Sequence, residues 1–171
     1  MRSTLREVMS QFATGVIVVT VGGEHVHGMT ANAFTSVSLD PALVLCCVAH
    51  SAVMHGAINA SGRFAVSVLG ADQEATARHF ADKNRPLGPA QFTSLDWWSG
   101  PRSQAPLISG ALGWLECEIV QSHDSGDHTI FIGSVLEAWR GGDGPGLLFY
   151  NGAFRSVDGV ESAPDRVRTL Q

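Results

Sequence analysis

Hydrophobic and polar residues along this chain recur with a period of two more often than with the 3.6-residue period of a helix. GVIVVTV, Gly15 to Val21, is β-branched and stops at Gly22-Gly23, a turn pair leading to a second predicted strand from His25 to Thr30. ALVLCCVA, Ala42 to Ala49, is an unbroken apolar run, the pattern of a strand buried on both faces. RFAVSVL, Arg63 to Leu69, alternates cleanly after the turn signal Ser61-Gly62. GWLECEIVQSH (Gly113 to His123) and HTIFIGSVLEAWR (His128 to Arg140) flank a Gly-Asp turn and predict a hairpin; LLFYNGAFRSV predicts another around Asn151-Gly152.

Helical signals are fewer. The N-terminal MRSTLREVMSQFATG reads as a short amphipathic helix. SAVMHGAINASG predicts a helix with Ser51 as N-cap and Gly62 as its end. DQEATARHFAD opens at Asp72 and places acids in its first turn and Arg78 and His79 in its last. Lys83 to Pro106, rich in Pro, Gly and Ser around Trp97-Trp98, predicts a long, partly ordered loop, and the charged tail from Ser162 is expected to fray. Six or more strands with two or three short helices predict a mostly β domain, a closed or nearly closed antiparallel barrel whose closure removes the sheet edges. No repeat or linker divides the chain, so residues 1–171 are expected to form a single domain with a core from about residue 4 to 157.

Composition narrows the function classes. With 44% hydrophobic and 16% charged residues and 19 glycines, the 171-residue chain suits a compact, turn-rich globule. A formal charge of -5 argues against a general nucleic-acid binder, which needs a basic face. No apolar run approaches the roughly 20 residues that span a bilayer, so no membrane role is expected. No secretory h-region is visible, so a cytoplasmic location is the expectation. Cys46, Cys47 and Cys117 form neither a disulfide framework nor a chelating set, because adjacent strand residues point to opposite faces.

Candidate chemistry concentrates in HGMTANAFTSVSLDP, His27 to Pro41. Gly28 and the small residues Thr30, Ala31 and Ala33 leave room for a ligand near the backbone. Ser36 and Ser38 recur with period two and so share a strand face, which suits a phosphate or a sugar. Polar decoration of an exposed strand explains the same residues. His25 and His27 share a face but have no third ligand at useful spacing, so a surface hairpin accounts for them. His55 and His79 lie on predicted helices as partners of caps or carbonyls. His128, in SGDHTIF, sits where a tight turn meets a strand and can reach over a site. The chain has no G-x-S-x-G, no strand-linked G-x-G-x-x-G and no Walker A motif.

FATGVIVVT, GMTANAFTSVSLDPALVLCCV, SGRFAVSVL, HFA, ISGALGWLECEI, SGDHTIFIG and LLFYNGAFR follow one another in an order that resembles the flavin reductase-like family, from about Thr4 to Val157. This family includes the small reductase components of two-component flavin monooxygenases. The resemblance implies an FMN-binding split β-barrel with Greek-key connections, paired as a homodimer with flavin near the subunit boundary. It implies FMN or FAD as flavin and NADH or NADPH as co-substrate. Thr30, Ala31 and Asn32 would lie near the isoalloxazine and ribityl, with Ser36, Val37 and Ser38 along the same wall. Cys47, Val48 and Ala49 would offer backbone groups to ribityl and phosphate, and Ser51 would cap the phosphate at a helix start. His128 would position the nicotinamide, and Arg155 would help orient the dinucleotide.

Two positions depart from the family pattern. Ser51-Ala52-Val53 lacks the basic residue that relatives carry beside the flavin phosphate, leaving Lys83 or Arg85 as substitutes. Ser67 stands where relatives often have Asn. The activity implied is hydride transfer from NAD(P)H to flavin N5, with reduced flavin passing by diffusion to a partner monooxygenase. The alternatives on the same barrel are a flavoprotein that reduces a corrinoid or quinone, and a flavin or haem carrier without nucleotide turnover.

Overall fold

The computed structural model describes residues 3–157; the tail expected to fray from Ser162 lies outside the described residues. The chain opens with α1 (Leu5–Met9), whose N-cap Thr4 forms a reciprocal capping box with Glu7. β1 (Thr14–Gly15), β2 (Ile17–Val21), β3 (His27–Ala31), β4 (Phe34–Leu39) and β5 (Ala42–Ala49) follow, then α2 (Val53–Ser61) and β6 (Arg63–Val68). After α3 (Glu74–Ala81) come β7 (Trp97–Ser99), β8 (Pro106–Ile108), β9 (Gly113–Ser125), β10 (His128–Arg140), β11 (Leu147–Tyr150) and β12 (Ala153–Ser156).

Seven strands form one antiparallel sheet in the order β3-β2-β6-β9-β10-β5-β4. Its two edge strands, β3 and β4, are consecutive in the chain and joined only by Asn32-Ala33. A two-residue link cannot cross an open seven-stranded sheet, so the sheet curls until its edges meet at that corner. The result is a barrel split between β3 and β4, which agrees with the expected class. Val19, Phe64, Val66, Cys117 and Phe131 fill its interior, closed below by Met54 and Ile58 of α2. A second apolar cluster lies outside the barrel wall, where Val16 and Val18 meet Phe80 of α3, Phe92 and Leu147.

These two clusters cover both faces of β2, all five of whose residues are buried; Phe64 to Ser67 of its neighbour β6 are buried as well. In β5 only Val44, Cys46 and Val48 are buried, while Leu43, Leu45, Cys47 and Ala49 are half-exposed. Apolar content predicted a cover for both sides of β5, but no layer of the described chain covers its outer face.

Three local expectations are corrected. Ser51 does not cap α2; the N-cap is Ala52, without a side-chain bond, while Gly62 ends the helix at φ 68° as expected. Asp72 lies in a 3-10 turn (Ala71–Gln73), and Gln73 Oε1 accepts the Gly70 N–H at 3.1 Å before α3 begins. The stretch from Lys83 to Pro106, expected as a partly ordered loop, carries more structure than that: a 3-10 turn (Gly88–Phe92) buries Gln91 and Phe92, and β7 pairs with β8. Its order depends on Glu116 of β9, fully buried, which accepts from the backbone N–H groups of Arg102 and Ser103 and from the Ser103 hydroxyl. Among the described residues no helix is long and apolar enough to cross a membrane.

Candidate active-site cleft

The uncovered face of β5 forms one wall of a cleft of about 920 Å³. Leu45 and Cys47 supply that wall, and the β3–β4 corner adds Asn32, Ala33, Phe34 and Thr35. Opposite stand Arg6, Met9 and Phe12 from α1 and the turn after it, together with Phe149 and Gly152 of the β11–β12 hairpin. The Asn32 amide donates to Thr14 Oγ1 at 3.1 Å and ties the corner to β1. Arg6 is the single charged residue of the lining. Burial pushes the Cys47 thiol up from its ordinary pKa, so it faces the cleft as a neutral group.

Only part of the predicted segment faces this space. Asn32 and Cys47 line the cleft. Thr30 turns the other way, its hydroxyl donating to the Ala77 carbonyl of α3 at 2.7 Å, and Ala31 packs on the barrel core. Ser36 and Ser38 do not repeat along one face as their spacing predicted. A bulge at Val37 sets Ser36 against Val44 and Ser38 against Leu43, neighbouring positions whose side chains take opposite faces. The Val48 side chain is in the core. β4 begins at Phe34 opposite Cys46, so Val48 and Ala49 run past it with β10 as their only ladder neighbour. Gly28 leaves no room for a ligand: a Cβ there would lie 2.5 Å from Phe80 Cε1.

The remaining predicted residues lie around the cleft. Ala49 and His128 are direct partners, two positions along the same face from the pair Cys47 and Ile130, which is about 7 Å farther along the strands. The His128 Nδ1 lies 2.7 Å from Asp127 Oδ1. That bond, with the ring's charge, holds the Asp127 carboxyl below the usual carboxylate range. Ser51 is exposed just before α2, and Lys83 is exposed beyond the end of α3. Arg155 lines a different, shallow pocket with Glu74 and Ser156, so it is not brought to the cleft. Arg85 cannot stand in for a phosphate-binding cation while its guanidinium is engaged with Gln91, the Asp82 and Gly28 carbonyls and His27. Ser67 is fully buried and accepts the Ile108 N–H at 3.0 Å, so its departure from the family pattern does not reach the cleft.

His27 is buried, not on a surface hairpin, because the 3-10 turn of Gly88–Phe92 lies over β3 and presents Gln91 to the ring. His79 meets the Gln91 carbonyl at 2.7 Å, the kind of partner expected of it. Cys46 and Cys117 are buried, with thiols pushed up to about 12 by desolvation. Sequence reasoning missed Arg6, Phe12, Phe34, Leu45 and Phe149. The apolar side of α1 and the period-two pair Leu45 and Cys47 were the available signals.

A cleft with aromatic and aliphatic walls, one cation and no carboxylate suits a planar ring system that brings its own reactivity. Comparison with known proteins agrees. The flavin reductase like domain matches residues 9–158. An NADH-dependent FAD reductase of Streptomyces globisporus is 56% identical over 154 residues, covering 90% of this chain and 85% of that protein. BorF, the flavin reductase component of a bacterial two-component tryptophan halogenase, superposes with a TM-score of 0.86 at 51% identity, covering 89% of this chain and 95% of that one. The S. globisporus NADH:FAD oxidoreductase SgcE6, in complex with NAD and FAD fragments, gives a TM-score of 0.83 at 53% identity over 94% and 92% of the two chains. With the ordered segments, the split barrel and matches spanning most of each chain all in agreement, the protein belongs to the flavin reductase-like family.

Proposed function

We propose that the protein is an NADH-dependent flavin reductase that reduces FAD, or FMN in its place, and supplies reduced flavin to a separate monooxygenase or halogenase. The observation that carries this reading is the cleft itself: apolar walls, a small-residue corner and no side chain suited to general acid–base work. NADH and FAD are the substrates named for the relative that is 56% identical.

Bound flavin would supply the redox chemistry, as the hydride acceptor for reduced nicotinamide. The chain's part is to bind, orient and exclude water. Phe34, Leu45, Cys47 and Phe149 form a dry surface against which an aromatic ring packs. Asn32 presents a polar edge at the corner, and Arg6 places a positive charge at the cleft wall. Val48 and Ala49, where β5 extends beyond β4 toward the start of α2, would hold the ribityl chain through their backbone groups. The first N–H groups of α2 have no side-chain cap, which suits a phosphate without a local Lys or Arg. His128, oriented by Asp127, positions the nicotinamide and carries no proton in the transfer.

Residues 1–171 act as one such unit in this reading, and two copies pair. The apolar residues Leu5, Val8, Met9 and Phe12 near one side of the cleft and Val37 and Leu39 on β4 are exposed. A second copy laid over them would cover apolar surface and complete the cleft wall. Sedimentation at micromolar concentration is expected to give a dimer, and a monomer alone would count against pairing.

NADH oxidation is expected to require added FAD or FMN and to be insensitive to cobalamin. Ala33→Trp, which fills the corner of the cleft, is expected to raise the KM for flavin at least tenfold with unchanged thermal unfolding. Oxidation that proceeds without flavin and gains nothing from it would overturn the reading.

A further inference from the structure

We propose that His50, His55 and Asp124 form a reversible binding site for a divalent transition metal of the zinc class, at the end of β5 beside the β9–β10 turn. The inference does not rest on the reductase reading. Three elements bring the groups together. His50 directly follows β5, and its backbone N–H donates to the Asp127 carbonyl at 2.9 Å. α2 presents His55, half-buried, with its ring 5.6 Å from the Phe131 ring and 5.1 Å from the His50 ring. β9 presents Asp124, whose neighbour in register is Thr129 of β10.

One ligand atom from each of the three lies within 4.8 Å of the others, the only such cluster among the described residues. His50 Nε2 and Asp124 Oδ1 are 3.5 Å apart. Tetrahedral zinc with bonds of roughly 2.0–2.2 Å to nitrogen and oxygen separates its ligands by about 3.4 Å. The His55 ligand atom lies within 4.8 Å of both, and the metal would draw it in by rotation of the side chain.

The Thr129 hydroxyl now stands among these groups. It donates to Asp124 Oδ1 at 2.7 Å and lies 3.1 Å from His50 Nε2 and 2.9 Å from His55 Nε2. A hydroxyl has one proton and two lone pairs, so both imidazoles donate Nε2–H to it. The metal takes the place of those two protons. Each ring then carries its proton on Nδ1, and the Asn59 amide nitrogen, now 3.4 Å from His55 Nδ1 and donating to the His55 carbonyl at 3.0 Å, turns aside to clear it. Thr129 keeps its bond to the carboxylate and orients it, an outer support for a ligand.

The donor set selects the metal. Two imidazoles and one carboxylate suit zinc and its neighbours, whereas calcium and magnesium require more oxygen ligands. His50 and Asp124 are exposed, which leaves further coordination positions to water and makes the site an exchangeable one.

Zinc binding to the full-length, tag-free protein, followed by isothermal titration and by the visible absorption of bound Co2+, tests the assignment. One metal per chain is expected, with affinity falling about tenfold or more in His55→Ala and Asp124→Asn. His123→Ala, which removes an exposed histidine outside the cluster, is expected to bind as the parent does. Asp124→Asn changes an exposed side chain, and its circular dichroism checks that the fold is kept. Absence of binding, or binding that survives both cluster substitutions, overturns the site; so does binding lost equally in His123→Ala.

Discussion

His27 makes the stability of this protein depend on pH in a way that can be worked out from its surroundings. The ring is 5% exposed at the start of β3. Its Nδ1 faces the Gln91 amide nitrogen at 3.1 Å, and its Nε2 faces Arg85 Nη2 at 3.1 Å. The Gln91 amide is held in that orientation because its oxygen accepts the Gly28 N–H at 3.1 Å. A protonated ring would aim two N–H groups at two other donors, one of them a cation. Desolvation first, then the Arg85 charge, lowers the pKa from 6.5 to about 4. The unfolded chain therefore binds a proton as pH falls through 6.5 while the folded chain refuses it until about 4. This contribution is complete above the unfolded pKa and declines as pH drops toward the folded one. Between pH 7 and pH 5 the loss is about 2 kcal/mol. His27→Gln removes the titrating group but keeps the same carboxylates, so the parent should lose about 2 kcal/mol more than the variant in urea unfolding at these two pH values. Parallel losses, or a His27 ring that titrates near its ordinary pKa by NMR in the folded protein, would refute the reasoning.

Gly28→Ala is expected to destabilise the protein by about 1–3 kcal/mol in thermal unfolding, because its Cβ would lie 2.5 Å from the Phe80 ring; an unchanged melting temperature would contradict that packing. Of the three thiols, only Cys47 should react with an aromatic disulfide in the folded state, since Cys46 and Cys117 are buried with pKa values of about 12. Saturating FAD should slow that reaction, and Cys47→Ser should abolish it. His128→Ala should raise the KM for NADH severalfold and lower kcat less, as expected of a residue that positions a substrate; an unchanged KM would remove His128 from that role.

Pattern was enough to find most strands, because each side chain's alternation is set by the local pleat. It was also enough for the Gly62 helix end and the Asn151-Gly152 turn, where conformational freedom belongs to the residue itself. The ordered run of segments placed the chain in its family, and Asn32 and Cys47, which line the cleft, were singled out before any geometry. Tertiary structure decided the rest. An apolar run does not say which neighbour will cover it, so β5 is left half-exposed on one face while β2 is buried on both. One extra residue at Val37 undid the shared face of Ser36 and Ser38, since a strand's period survives only while its register does. Gly28 proved to be space for Phe80, a residue 52 positions away in the chain. Thr30, His27 and Arg85 found partners across the fold that no spacing records. The chain's local chemistry determined which elements form, and long-range packing determined which of their side chains were left to face the cleft.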